Sequence, residues 1–134
     1  MDIIIPDINL RNIWQSVWDR LPQEAQAELH DVILLVNAEY STNISGPFLY
    51  GAYSPDTTAR IGTIFFYYED LYSLSDMAKA GVMAHELGHA YCHLKFGDPS
   101  PYGSIDSGAN CVASLWWGFN QELQALEQEK TKSH

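Results

Sequence analysis

The stretch VMAHELGHAYCHLKFGDPSPYGSIDSGANCVASLWW, residues 82–117, contains the motif around which the predicted fold is arranged. In that motif, HELGH, His85 and His89 are four positions apart and Glu86 follows the first histidine. Residues four apart lie on one face of an α-helix, about one turn from each other. The spacing therefore predicts a helix that offers two imidazoles to one metal ion, with a carboxylate beside them.

Signals on both sides of the motif set the limits of two predicted helices. Ser73 and Ser75 are candidate N-caps, and the motif helix is predicted to run to about Phe96, before a Gly- and Pro-containing loop. A second helix is predicted from about Ser104. Its apolar stripe has helical spacing and consists of Ile105, Ala109, Val112, Trp116, Phe119, Leu123 and Leu126. We expect this stripe to pack against the motif helix.

The remaining elements are predicted from periodicity. Residues 11–20 and 22–40 have the apolar spacing of helices. The segments PFLYGAYS and ARIGTIFFYYEDLY are rich in aromatic and β-branched residues and are separated by a turn-like PDTT, which predicts two strands. Gly51 and Gly62 are interpreted as bends or bulges. Together these elements predict an α+β fold with N-terminal helices, a small antiparallel sheet, the motif helix and a second site helix.

Composition limits the class of protein. A chain of 134 residues with 46% apolar and 13% aromatic residues predicts one globular domain over residues 1–134, with its core at about 22–127 and a frayed C-terminal tail. No apolar run approaches the roughly 18–20 residues of a membrane span, and no secretory signal is recognisable. We therefore predict a cytoplasmic protein without a membrane partner. The alternative is a mature secreted domain whose leader has been removed.

The charge balance excludes one class of partner. Seven basic and 17 acidic residues give a net charge of −10, which argues against nucleic acid because phosphate binding requires a basic surface. Cys92 and Cys111 form no disulfide framework and no Cys-x-x-Cys zinc motif. Two buried thiols are the simplest interpretation, and a bridge between the two site helices is the alternative.

A catalytic zinc takes three protein ligands and leaves its fourth position to water. His93 lies two turns beyond His85, roughly 12 Å away by rise alone, so a straight helix cannot bring both to one ion. Asp106 and Asn110, in the first turns of the second predicted helix, are better placed: one can ligate while the other hydrogen-bonds a ligand. Alternatively, Asp106 is an acidic helix-start residue that stabilises the helix dipole.

At these residues the sequence resembles the ImmA/IrrE-like metallopeptidases, which belong to the gluzincin type of zincin. The family pattern, HExGH followed by an acid-x-x-Ala-Asn helix, is matched by His85, Glu86, Gly88, His89, Asp106, Ala109 and Asn110. The order of elements over roughly residues 25–120 also matches. Asp106 stands where the family usually has Glu, so the shorter side chain requires a closer approach of the two helices or a change in coordination.

The resemblance implies a zinc-dependent peptidase. Zinc would be held by His85, His89 and Asp106, with Asn110 supporting a ligand, and Glu86 would be the general base. A protein substrate, as with the repressors that related proteins often cleave, would lie in extended form along an edge strand. That strand is predicted at Ile61, Gly62, Thr63 and Ile64.

Several alternatives stay open on the sequence alone. Tyr102 could donate a hydrogen bond to the oxyanion, or it could be a loop aromatic packed on Trp116. The aromatic residues of the predicted substrate strand could belong to the core. The leading rival function is a metal-containing module that binds a protein partner without catalysis, and a further rival is a metal-free interaction domain. Oligomeric state is not predicted.

Overall fold

The computed structural model describes residues 2–4, 7–30, 32–36, 51–56, 61–66, 71, 73–96 and 112–132, and the side chains of 7–30, 32, 64, 71, 73–95 and 112–129. The helices are α1 (Ile8–Arg20), α2 (Gln23–Leu29), α3 (Asp76–Phe96), a π-helix (Val112–Trp116) and α4 (Asn120–Lys132). The strands are β1 (Asp2–Ile4), β2 (Ile33–Val36), β3 (Gly51–Asp56) and β4 (Ile61–Phe66).

The predicted fold class, a zincin-like α+β domain with a small antiparallel sheet, is wrong. Of the residues with described side chains, 82% are helical, and only Ile64 among them lies in a strand, so the described core is built by helices and not by a sheet. The strand backbones pair in the order β1-β2-β4-β3. Because β2 is parallel to both of its neighbours, the antiparallel arrangement is limited to β3 and β4.

The predicted helix over residues 22–40 is only partly present. Helix α2 ends at Leu29, and strand β2 begins at Ile33. The spacing of Leu29, Val32 and Val36 fits a helix, but a continuous apolar run is equally typical of a strand with parallel neighbours on both sides. Such neighbours exist here, because β2 pairs with β1 on one side and with β4 on the other.

The predicted substrate strand is not an edge strand. Its residues Ile61, Gly62, Thr63 and Ile64 do lie in β4, but β4 pairs with β2 on one side and β3 on the other. The hydrogen-bonding groups on both sides of its backbone are therefore used within the sheet, and no exposed edge is left for a substrate at these residues.

The β3–β4 pair has a continuous register. It runs from Gly51 opposite Phe66 to Asp56 opposite Ile61, with no residue left over on either strand. Gly51 and Gly62 were predicted as bends or bulges, and no bulge occurs within the described pair, since a bulge places two residues of one strand opposite one of the other.

The second predicted helix is interrupted. Residues 97–111 lie outside the described residues, and from Val112 onward the chain forms the π-helix, turns at Gly118 and continues as α4. Gly118 has a φ of 78°, and its N–H donates to the Ser114 carbonyl at 3.2 Å, an αL cap that ends the π-helix. Helix α4 extends to Lys132 and so includes the first residues of the tail that was predicted to fray.

Helix α3 lies at the centre of the described residues. It packs against α1, α2, α4, the π-helix, β3 and β4, and its buried apolar side chains belong to one core cluster. Leu10, Trp14 and Val17 of α1 join that cluster, so the core begins earlier than the predicted residue 22. Within the described residues, no helix combines the length and hydropathy needed to cross a bilayer.

Gly81 is the point of closest approach between α3 and α4. A Cβ added there would overlap the backbone carbonyl of Glu122 and would lie 3.3 Å from the Cβ of Leu126. Only a residue without a side chain allows α4 to lie this close to α3. Position 81 therefore sets the depth at which the C-terminal helix packs.

Gly81→Ala is expected to destabilise the fold by about 1–3 kcal/mol, because the overlap is with backbone that cannot rotate away. The steric overlap outweighs the higher helix propensity of alanine, which by itself would stabilise the variant by about 1 kcal/mol. Urea unfolding of the wild type and of Gly81→Ala measures the difference in their free energies of unfolding. Gly118→Ala is the control, since its Cβ would meet nothing within 4 Å and the cost there is backbone strain alone. A Gly81→Ala protein as stable as the wild type would contradict the close packing.

Candidate metal centre

The motif helix begins as predicted. The Ser75 hydroxyl accepts a hydrogen bond from the Ala78 N–H at 3.2 Å, which makes Ser75 the N-cap, and the helix then runs from Asp76 to Phe96. Apolar residues surround the whole helix rather than forming one stripe, as is typical of a helix enclosed by other elements. The polar residues of the motif are consequently carried into the interior of the fold.

His85 and His89 face each other across one helical turn. Their Nε2 atoms are 3.0 Å apart, and the ring centroids are 4.5 Å apart with an interplanar angle of 86°. At this distance the protonated Nε2 of one ring can donate a hydrogen bond to the other, or both nitrogens can bind the same ion. The spacing in the sequence thus produces the predicted imidazole pair.

Glu86 completes the cluster. Its Oε1 lies 3.8 Å from the His85 Nε2, and one ligand atom from each of the three residues falls within 4.8 Å of the others. Glu86 is 5% and His89 is 7% exposed, whereas His85 is more open to solvent. Among the described residues, this is the one group of three or more His, Cys, Asp or Glu side chains that could hold a metal ion.

The donor set fits a divalent metal. Zinc binds imidazole at about 2.0–2.1 Å, so two nitrogens in a tetrahedral site are separated by roughly 3.3 Å. The His85–His89 separation of 3.0 Å needs only a few tenths of an ångström more, which a small ring rotation supplies. Imidazole also suits copper, iron and nickel. The cluster could therefore bind a metal ion, and its geometry does not select the element.

The other predicted site residues are not part of the described cluster. Asp106, Asn110 and Tyr102 lie outside the described residues. His93 is half-buried one turn beyond His89 and does not belong to the metal-binding group, in agreement with the distance argument. Cys92 is buried in the core, and Cys111 lies outside the described residues.

A second polar cluster, which sequence reasoning missed, fixes α3 on its other side. The Tyr91 hydroxyl donates to Glu24 Oε1 at 2.7 Å, and the Lys95 ammonium lies 2.9 Å from the same oxygen. Tyr91 and Lys95 are four apart on α3, and Glu24 lies on α2. The i,i+4 spacing of Tyr91 and Lys95 could have indicated that they bind a common carboxylate. Nothing in the sequence showed that this carboxylate would be Glu24.

This cluster shifts the pKa values of its members in opposite directions. The hydrogen bond from Tyr91, and then that from Lys95, hold the pKa of Glu24 below its usual 4.5. Burial, followed by the hydrogen bond to Glu24, raises the pKa of Tyr91 well above its usual 10.0. The folded state therefore favours the ionised carboxylate and the protonated phenol, which is the combination in which the phenol can donate.

Tyr91→Phe is expected to cost about 1.5–3 kcal/mol of stability at pH 7, because a hydrogen bond to a charged group is lost. Since folding raises the pKa of this phenol, the stabilisation is complete below pH 10.0 and is lost as the pH rises toward the folded value. Urea unfolding of both proteins between pH 7 and pH 11 measures the difference. If the difference in free energy of unfolding between the two proteins stays constant across this range, folding does not raise the pKa of Tyr91.

No known protein family matches this chain, and comparisons with curated proteins and with solved structures find no similar one. The resemblance to the ImmA/IrrE-like metallopeptidases therefore rests on the motif residues and on the predicted order of elements.

Proposed function

We propose that this protein is a zinc-dependent metallo-endopeptidase that hydrolyses a peptide bond of a protein substrate. The observation that carries the proposal is the cluster on α3, in which two imidazoles at hydrogen-bond distance lie beside a buried carboxylate. The resemblance to the ImmA/IrrE-like metallopeptidases supports the same reaction. It also supplies the third ligand, Asp106, with Asn110 as the residue that supports a ligand.

Each residue of the cluster has one role in this proposal. His85 and His89 would hold the ion, since their Nε2 atoms face each other. When bound, the ion supplies Lewis-acid activation of water and of the scissile carbonyl. Glu86 accepts the proton of the attacking water and delivers it to the leaving amine, so that the carboxylate ends the cycle ionised. Tyr102 is the proposed donor to the oxyanion.

The substrate is proposed to be a protein segment, with a repressor as the class that the resemblance suggests. Since β4 is enclosed, we propose that an extended substrate pairs with the outer side of β3 (Gly51–Asp56), which ends the order of the described strands and contacts α3. Pro55 is compatible with that place, because proline is tolerated on edge strands. The cytoplasm stays the predicted compartment.

The decisive experiment combines metal analysis with cleavage. Protein purified without added chelator is expected to contain one zinc per chain and to cleave members of a peptide library. A chelator should abolish cleavage, and zinc should restore it. Metal binding to the folded state also implies a lower Tm after chelation, since free metal at about 100 times its Kd contributes about 2.7 kcal/mol. Metal-free protein, or cleavage that survives metal removal, would overturn the proposal.

Asp106→Ala tests the third ligand. We expect zinc affinity to fall by more than about 100-fold, because the loss of a direct ligand exceeds the 10- to 100-fold typical of residues that only support ligands. Competition with a chromogenic chelator measures the affinity. Asp106→Asn provides a matched control, since the amide keeps the size and one acceptor oxygen but loses the charge and the second acceptor. Unchanged affinity in both variants would make Asp106 a helix-start residue that stabilises the dipole.

A metal-containing interaction module without catalysis is the second candidate. The burial of Glu86 and His89 favours it, because a metal enclosed in the core can stabilise a fold without meeting a substrate. In that case the protein would contain zinc and lose stability on chelation, but it would cleave no peptide of the library.

A further inference from the structure

Helix α4 packs against the side of α3 that also carries His85. Its closest approach is at Gly81, where an added Cβ would overlap the carbonyl group of Glu122. Gly81 and His85 are four positions apart and therefore lie on one face of α3, about one turn from each other. The docked α4 consequently borders the His85–Glu86–His89 cluster. In that cluster Glu86 and His89 are buried, and the side chain of His85 is 19% exposed.

The chain enters α4 through a hinge at Gly118. This residue has a φ of 78°, in the left-handed region that favours glycine, and in the described part of the chain an added Cβ would meet nothing within 4 Å. The backbone at this position can therefore rotate without collision with packed side chains. Helix α4 follows from Asn120 to Lys132, so a change of backbone angles at the hinge moves the helix as one unit.

One arginine at the end of α1 holds the start of α4. The Arg20 guanidinium donates to the Gly118 carbonyl at 3.1 Å and forms an ion pair with Glu122. Its Cζ also lies 4.1 Å from the centre of the Phe119 ring. A single side chain thus joins α1 to both sides of the hinge. Because this side chain is 45% exposed, water and salt compete with Glu122 for the guanidinium.

The docked position of α4 leaves one carboxylate oxygen without a partner. Glu122 Oε1 accepts from Arg20, whereas Oε2 is buried and has no hydrogen-bond partner among the described residues. A buried acceptor of this kind destabilises the docked state, and it regains hydrogen bonds to water when the helix moves away. This cost opposes the burial of Phe119 and Leu126, which keeps α4 in place. We therefore expect α4 to open at a lower free energy than the core of α3.

We propose that α4 is a strap beside the His85–Glu86–His89 cluster, and that it opens about Gly118 when the contacts of Arg20 are released. Opening exposes the side of the cluster that carries His85, so that a protein segment can reach groups that are buried in the docked state. This role rests on the proposed function, since a peptidase with a buried cluster needs an entry for its substrate. The movement itself requires neither metal nor substrate, and it can be measured on metal-free protein.

Amide hydrogen exchange of the full chain, followed by mass spectrometry, measures the opening. In Arg20→Met we expect the protection of the amides in the middle of α4, residues 123–128, to fall by about tenfold, while the protection of α3 changes by less than about twofold. Methionine keeps an apolar side chain of similar length against Phe119 but removes the hydrogen bond and the ion pair. Arg11→Met, the same change at an exposed position of α1, is the control and should leave α4 as in the wild type.

Histidine modification connects the opening to the cluster. Metal-free protein is treated with diethyl pyrocarbonate, and the modified residues are identified by peptide mapping. We expect His85 to react at least about threefold faster in Arg20→Met than in the wild type, less than the change in exchange because His85 is already partly exposed. The exposed His30, at the end of α2, is the internal reference and should react equally in both proteins. Added salt should accelerate the reaction of His85 in the wild type but not in Arg20→Met, because salt weakens the Arg20–Glu122 pair.

Unchanged protection of residues 123–128 in Arg20→Met would overturn the proposal, because Arg20 would then not hold the helix. An equal loss of protection in α3 and α4 would overturn it as well, since α4 would open only with the whole fold. The same holds if α4 opens while the reactivity of His85 stays constant, because α4 would then not shield the cluster. Failure of the peptidase proposal is a separate result, the absence of cleavage, and it does not change either measurement.

Discussion

Glu86→Gln is expected to retain the metal and to lose peptide hydrolysis by at least about 100-fold, the lower range for removal of a general base. The amide has the same size as the carboxylate and fits the same buried position, but it cannot accept the proton of the attacking water. The kcat for a cleaved library peptide, measured with the zinc content of the same preparation, tests the expectation.

Glu127→Gln is the matched control for Glu86→Gln, since it makes the same chemical change at an exposed position of α4. Two results would contradict the assigned role of Glu86. Cleavage at the wild-type rate would show that Glu86 is not the base. Loss of zinc would show that Glu86 is a ligand instead, which the 3.8 Å between its Oε1 and the His85 Nε2 permits.

His89→Ala is expected to lower zinc affinity by more than about 100-fold and to make the Tm insensitive to chelation. The variant removes one of only two imidazoles that approach each other in the described part of the chain. His93→Ala is the control, because this histidine lies on the same helix one turn further along and outside the metal-binding group. Affinity is measured by chelator competition on protein whose folding is verified by circular dichroism.

Removal of a buried ring can also reduce stability directly, so His85→Ala provides a second test at a more exposed position. If both histidine variants keep the wild-type affinity, the pair does not bind the ion. If His93→Ala loses as much affinity as His89→Ala, the ion lies further along α3 than we infer.

Local sequence signals were sufficient for the motif helix. Of the two predicted caps, Ser73 and Ser75, the structure selects Ser75, and the predicted helix end at about Phe96 and the single turn between His85 and His89 are confirmed, because each depends on residues within a few positions. The same kind of reasoning failed at residues 33–36, where helix and strand periodicities coincide. The choice between them was made by pairing with β1 and β4, which lie far away in the chain.

Distant contacts also explain the other errors. The enclosure of β4 depends on the arrival of β2 beside it, which no feature of residues 61–64 reveals. The interruption near Gly118 was missed because a single glycine within an apolar stripe is compatible with a helix. Arg20, whose Nη2 donates to the Gly118 carbonyl at 3.1 Å, shows that α1 helps to hold this turn.

The sequence by itself determined the cluster at the candidate site: two imidazoles and a carboxylate within five residues lie on one turn of a helix, because helical geometry brings positions four apart together. Only the tertiary structure decided the surroundings of those groups. It enclosed α3 among the other elements, so that Glu86 and His89 are buried, and it turned Leu115 and Trp116 outward. Burial and exposure depend on which distant elements pack together, and that information is spread over the whole chain.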